Sequence, residues 1–354
     1  MSTETLQFLR KMDGPVLITG HTGFKGTWLT LLLQQLEIPV IGFSLYPDKD
    51  SIYLKANRLG KIEEQFSDIN SYAEINRFIE KKKPSAIIHL AAQPLVSESY
   101  LNPKLTFETN VLGTVNLLTA AFEQQSVRSI EVVTTDKVYL NNNSGKKFRE
   151  NDPLGGNDPY SASKVATEAV VSAWQRISEH ISGPSVFSVR SGNVIGGGDL
   201  SVNRLVPDLV RNVFYSSNLN VRNMHSTRPW QYVLDPLFGY LLALDKSLSN
   251  RNIGSYNFGP AESALKVSKV IEIFYSKFNL PVKYETQKNY YESELLELNS
   301  EKATTELGWK PQINQKDSIL LTATWWENII KHSVNPNKQC LYEVDQFLKK
   351  LNNA

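Results

Sequence analysis

The sequence predicts an α/β fold: a doubly wound parallel sheet followed by a smaller mixed α/β lobe. Two observations lead there. Short apolar runs alternate strictly with helix-period segments up to about residue 190, and the first run ends in a glycine-rich loop that opens a helix. Alternation of this kind implies right-handed parallel crossovers. The length, 354 residues, suits one large domain or two ordinary ones with a sizeable core.

Pro15 to Gly20 is the first buried strand, and Leu29, Leu32, Leu33 and Leu36 mark the helix after it. Ile38 to Ser44 forms the second strand and Glu64 to Ile69 a third. Ser71 and Glu74 make a capping box for a helix that closes in Lys81-Lys82-Lys83-Pro84, where the macrodipole favours cations. Ser85 to Leu90 is another strand, Lys104 to Gln125 a long helix, and Ser129 to Thr134 a strand. After a polar loop from Asn141 to Asn157, Asp158-Pro159 starts a helix running to about His180, because Asp caps and Pro fits the first turn. Strand Ser185 to Arg190 ends the regular part. Beyond it, helices such as Lys266 to Phe278 and Asp317 to Ile330 mix with irregular segments. The domains expected are 1–190 and 191–354, with a segment near 228–258 able to return to the first.

Composition excludes several classes. With 41% hydrophobic and 21% charged residues the chain is neither disordered nor membrane-embedded. Its longest near-apolar run, Ala86 to Val96, is too short to span a bilayer. No signal peptide is visible at the start, and the single cysteine, Cys340, suits a reducing cytoplasm. A net charge of +2 argues against a dedicated nucleic-acid binder. The five histidines lack metal-ligand spacing, so no metal is expected.

Gly20-His21-Thr22-Gly23-Phe24-Lys25-Gly26 joins the first strand to the first helix. Backbone without side chains lets a pyrophosphate approach the positive helix N-terminus, as in Rossmann-like folds. The G-x-x-G-x-x-G spacing resembles that of the short-chain dehydrogenase/reductase superfamily. His21 could bond a phosphate or simply lie on the turn. No acid stands at the end of the second strand to read an adenosine ribose, and Asp68-Ile69 could contact adenine, or Asp68 could cap a turn.

Tyr160 and Lys164 share one helix face. A protonated lysine there would lower the phenol from its usual value of about 10, making tyrosinate a base near neutrality. Spacing alone proves little, since Tyr100/Lys104 and Tyr284/Lys288 share it. Position decides for Tyr160: its helix starts after a strand ending in Thr134-Thr135-Asp136-Lys137, and ligands collect at the carboxyl ends of such strands. Thr135 can bond a substrate hydroxyl, and Asp136 with Lys137 adds an acid/base pair that plain alcohol oxidation does not need.

Taken together, residues 15 to 311 resemble the CDP-glucose 4,6-dehydratases, extended short-chain dehydrogenase/reductases acting on sugar nucleotides. The resemblance rests on Thr19 to Leu29, His89 to Val96, Thr109 to Thr114, Thr135-Asp136-Lys137, Asn151 to Gly156, Asp158 to Lys164, Gly192 to Asp199, Arg228 to Gln231 and Leu307 to Pro311. It implies an NAD cofactor held by Gly20, His21, Gly23, Phe24, Lys25, Gly26, Asp68 and Ile69. Leu90, Ala91, Ala92, Asn110, Tyr160 and Lys164 complete that set. It further implies CDP-glucose or a similar nucleotide sugar near Gln93, Asn193, Arg204, Arg228 and Trp230, with Thr135, Asp136, Lys137, Tyr160 and Lys164 catalytic. The preference for CDP rests above all on His21, Lys25, Gln93 and Lys137. A homodimer through the helices at 104–125 and 160–180 is also implied. Departures are Ser97-Glu98 where two arginines are usual, Tyr232 for a histidine and Asp235 for a glutamate. A nucleotide-sugar 4-epimerase and a 4,6-dehydratase for another nucleotide are the alternatives, since both use the same tyrosine.

Overall fold

A computed structural model describes residues 2–142, 145–221, 223–251, 253–281, 285–286 and 296–353. Along the chain β1 (Val16–Thr19), α1 (Phe24–Gln35), β2 (Val40–Ser44), α2 (Ile52–Lys55), β3 (Glu63–Phe66), α3 (Tyr72–Lys82) and β4 (Ala86–His89) alternate. They are followed by α4 (Val96–Leu101), α5 (Pro103–Phe107), α6 (Gly113–Phe122), β5 (Ser129–Val133), β6 (Lys147–Phe148), α7 (Pro159–Ile181) and β7 (Ser185–Ser191). The later part holds β8 (Asn193–Ile195), α8 (Leu205–Tyr215), β9 (Asn220–Val221), β10 (Thr227–Arg228), β11 (Trp230–Tyr232), α9 (Leu234–Ser249) and β12 (Tyr256–Phe258).

Seven strands form one sheet in the order β12-β7-β5-β4-β1-β2-β3, and every pairing in it is parallel. Helices cover both faces, so β1, β4, β5 and β7 are buried along their whole length rather than alternately. One face packs residues such as Leu29, Leu32, Phe238 and Leu241; the other packs Ile75, Leu117 and Val171. The edge strand β3 carries Glu63, Glu64 and Gln65, a composition that discourages edge-to-edge pairing. α9 packs on β5 and β7, and β12 extends the sheet beside β7, so this stretch returns to the sheet after the chain has left it.

Several local expectations change. The strands at 38–44 and 64–69 narrow to Val40–Ser44 and Glu63–Phe66. Ser71 starts α3 without a side-chain cap: the Glu74 N–H bonds to the Ser71 carbonyl, and the Glu74 carboxylate is engaged by Gln65 and Arg77, so no capping box closes. The helix expected at 104–125 is broken: α5 and α6 are joined by a π-helical turn, Glu108–Leu112. The polar loop after β5 is not wholly irregular, since β6 pairs with Glu297–Leu298. Asp158 does cap α7, accepting the Ser161 N–H at 2.9 Å. Of the two incidental Tyr–Lys pairs, Tyr284/Lys288 lies outside the described residues.

Candidate active site

The chain order of the sheet reverses between β4 and β1, and a cleft of about 1080 Å³ opens there at the carboxyl ends of the strands. Gly20 has φ +74°, and a Cβ on it would sit 2.7 Å from the Ala91 nitrogen. On Gly26 it would sit 2.2 Å from the Gly20 carbonyl oxygen. Neither position admits a side chain, and the loop lies tight against the chain leaving β4. Gly23 begins α1 without a side-chain cap, which leaves the first N–H groups of the helix available to a ligand. Phe24, Lys25, Asp68, Ile69 and the run Leu90-Ala91-Ala92 also line the cleft. Bare backbone at a helix start, inside an elongated cleft, fits a dinucleotide.

Two residues expected at the cofactor do something else. His21 is buried outside the lining: Nε2 donates to Glu64 at 2.9 Å and its ring meets Tyr53 edge-on. Burial holds its pKa low, with Glu64 opposing. The ring props the loop against β2 and β3 and is not a phosphate ligand. Asn110 sits in the π-helical turn and is also outside the lining. Its side chain accepts from Gln93 N at 2.8 Å and donates to Gln93 O and Ser163 Oγ, so it fixes the loop after β4 instead of touching a ligand. Asp68 lines the cleft while accepting the Asn70 N–H, so it caps its turn.

Tyr160 and Lys164 stand one turn apart on α7, both buried and both in the lining. Ser99 Oγ accepts the Tyr160 N–H at 3.1 Å, and Lys164 Nζ donates to Val133 O at 3.2 Å. At the end of β5, Thr135 Oγ1 donates to Asp136 Oδ1 at 3.0 Å, and Lys137 Nζ lies 3.4 Å from the same oxygen. Asp136 is wholly buried behind the cleft lining, and its Oδ2, which has no hydrogen-bond partner, lies 3.0 Å from where a Cβ on Gly192 would stand. The expected lowering of the phenol does not occur: burial pushes Tyr160 up to about 12, against the Thr135 hydroxyl and the Arg204 charge. Burial brings Lys164 down to about 8, with Glu168 opposing. Lys25 falls to about 7 through burial and the charges of Arg204 and Lys164; its Nζ donates to Ser191 and Tyr240.

Gln93, Asn193, Arg204, Arg228 and Trp230 all line the cleft. The Gln93 amide is spent on Leu95 and Thr106, which leaves this residue a shaping role. Arg204 is held by Asp199 at 3.3 Å. Trp230 keeps a buried indole N–H without a partner. Sequence reasoning missed Asp199, Ser99, and the pair formed by Glu168 and Arg190. The last had a legible signal: an arginine at the end of a strand expected to be buried, and a glutamate one turn beyond Lys164.

Fold and site define a short-chain dehydrogenase/reductase of the extended type, with a Tyr-x-x-x-Lys pair facing a dinucleotide cleft. Within that class the chain belongs to the GDP-mannose 4,6-dehydratase family, whose model matches residues 17–321. It is 35% identical to the CDP-glucose 4,6-dehydratase of Salmonella typhimurium over 88% of this chain and 89% of that one. Identity to the dTDP-glucose 4,6-dehydratase of Haemophilus influenzae is 27%, over 88% and 97%. The structure of dTDP-glucose 4,6-dehydratase from Bacillus anthracis in complex with NAD superposes with a TM-score of 0.75 at 22% identity, over 89% of this chain and 97% of that one.

Proposed function

We propose that the protein is a lyase of deoxysugar biosynthesis that converts CDP-glucose to CDP-4-keto-6-deoxyglucose and water, with NAD as cofactor. The observation that carries the reading is the convergence of Thr135, Lys137, Tyr160 and Lys164 on one cleft, with Asp136 buried directly behind. Gly20, Gly23, Gly26 and the start of α1 would hold NAD, which would supply an acceptor for the C4 hydride and a donor of the same hydride to C6 within one turnover. Tyr160 removes the proton of the 4-hydroxyl, Thr135 orients that oxygen, and the Lys164 ammonium stabilises the tyrosinate. The 4-ketone acidifies C5; Lys137 takes the C5 proton, Asp136 protonates the departing 6-hydroxyl, and the C5–C6 double bond so formed receives the hydride at C6 and the proton back from Lys137 at C5. A 4-epimerase shares the first step, but it has no elimination for the acid/base pair of Asp136 and Lys137 to serve.

Residues 1–190 with the return segment near 228–258 hold the cofactor in this reading, and the rest of 191–354 receives the nucleotide, Arg228 forking onto phosphate. The preference for CDP is supported by the 35% identity to a CDP-glucose enzyme. Cytosine presents an amino donor where uracil and thymine present a carbonyl acceptor, so a site matched to one leaves a buried group unpaired with another. CDP-, UDP-, dTDP- and GDP-glucose should be offered in turn and the product read by NMR. The 4-keto-6-deoxy sugar should form from CDP-glucose at the highest kcat/KM. A 4-epimer as product, or better turnover of another nucleotide, would replace the assignment.

A cytoplasmic homodimer completes the reading. No helix among the described residues is long and apolar enough to cross a membrane. Leu101, Leu105, Leu112, Ile177 and Ile181 are exposed on α4, α5, the π-helical turn and α7, an apolar surface that a second copy would cover. Light scattering should give twice the 40.0 kDa chain mass at micromolar concentration; a stable monomer contradicts the dimer.

A further inference from the structure

Glu168 lies on α7 one turn beyond Lys164 and two beyond Tyr160, buried away from the cleft lining. Its carboxylate is fully engaged. Oε1 accepts from Thr134 Oγ1 at 2.5 Å and Arg190 Nε at 2.8 Å; Oε2 accepts from Ser188 Oγ at 2.7 Å and Arg190 Nη2 at 2.8 Å. Thr134 immediately precedes Thr135, and Ser188 and Arg190 belong to β7. One side chain thus ties the helix carrying the base to the two strand ends that flank the cleft. Arg190 extends the tie, donating through Nη1 to Tyr139 OH at 2.8 Å and to Glu150 O at 3.0 Å.

Resting on the dehydratase reading, we propose that Glu168 is a positioning residue: it fixes Tyr160 and Lys164 against Thr135 and supplies the counter-charge that keeps Lys164 protonated. A buried ion pair of this kind is weak grounds for stability, because desolvation offsets the attraction. Its bidentate geometry, by contrast, fixes the orientation of two elements. The groups around Lys164 show why a counter-charge matters. Burial and then the charges of Arg204 and Lys164 depress Lys25 from α1, and His89 from β4 is buried close by with its pKa down at about 3. Both carboxylates nearby are paired, Asp136 with Lys137 and Glu168 with Arg190, and of the two it is Glu168, one turn along the same helix, whose field raises Lys164.

The test uses the full-length protein with Glu168→Gln, Glu168→Asp and Thr134→Val, each checked for folding by circular dichroism. The protonation midpoint of Lys164 is read from the pH dependence of its labelling by acetic anhydride, followed by mass spectrometry, which needs no substrate. In Glu168→Gln the midpoint should fall by about one pH unit, and kcat should drop at least tenfold with KM changed less than threefold. Glu168→Asp, which keeps the charge, should restore the midpoint. Thr134→Val keeps the ion pair but cuts the link to β5; it should leave the midpoint alone and lower kcat severalfold. A folded Glu168→Gln with parental midpoint and kcat overturns the proposal. Should that variant not fold, parental kcat in Thr134→Val does the same. If the parent yields no 4-keto sugar, the dehydratase reading fails instead, and the labelling midpoint still decides whether Glu168 sustains the charge of Lys164.

Discussion

Replacing Tyr160 by Phe should lower turnover by about 100- to 10,000-fold, the usual worth of a general base. The ring stays in its buried place, so circular dichroism and NAD binding should match the parent. Turnover within a few-fold of the parent would discard Tyr160 as the base. The parent's pH profile carries the same chemistry. Tyr160 sits at about 12 and Lys164 at about 8 in the ligand-free protein. The tyrosinate fraction grows about tenfold per pH unit, and above about 8 the protonated fraction of Lys164 shrinks by the same factor. Their product rises with pH and then levels, so kcat/KM should climb toward pH 8 and flatten beyond it. A profile already flat from pH 6 would mean that the base is not a phenol held this high.

Elements whose signal is local were legible in the sequence. Asp158-Pro159 specifies the start of α7 by capping chemistry alone, and the short strands β1, β4, β5 and β7, rich in Val and Ile, match burial on both faces. The misreadings share a physical cause: a partner distant in sequence took over the side chain. Gln65 of β3 claims one carboxylate oxygen of Glu74, which no longer reaches back to Ser71. Glu64 claims His21, which turns a plausible phosphate ligand into a strut. Asn110 looks like a ligand residue by motif, yet the π-helical turn aims it at Gln93 and Ser163. The phenol of Tyr160 was misjudged for a different reason: spacing from Lys164 is visible in a sequence, but the depth of burial that outweighs it is not.

Lys137→Ala should separate the two halves of the reaction. The lysine is partly exposed on the cleft wall, with Nζ 3.4 Å from Asp136 Oδ1. To serve as the C5 base it must be uncharged when the 4-ketone is present. In the variant, oxidation at C4 can proceed, because Tyr160, Thr135 and Lys164 are untouched. Exchange of the C5 hydrogen with solvent deuterium should fall by about 100-fold or more, and elimination with it. The 4-ketone and reduced cofactor should then accumulate, visible as absorbance near that of the dihydronicotinamide. Two other results point elsewhere. Normal C5 exchange would move the base to another residue of the cleft. Loss of 4-ketone formation together with exchange would mean that Lys137 acts earlier, by holding Asp136, and through it Thr135, in the arrangement that orients the 4-hydroxyl. Asp136→Asn then distinguishes these roles: with the leaving-group acid removed but the shape retained, C5 exchange should persist while loss of water stops.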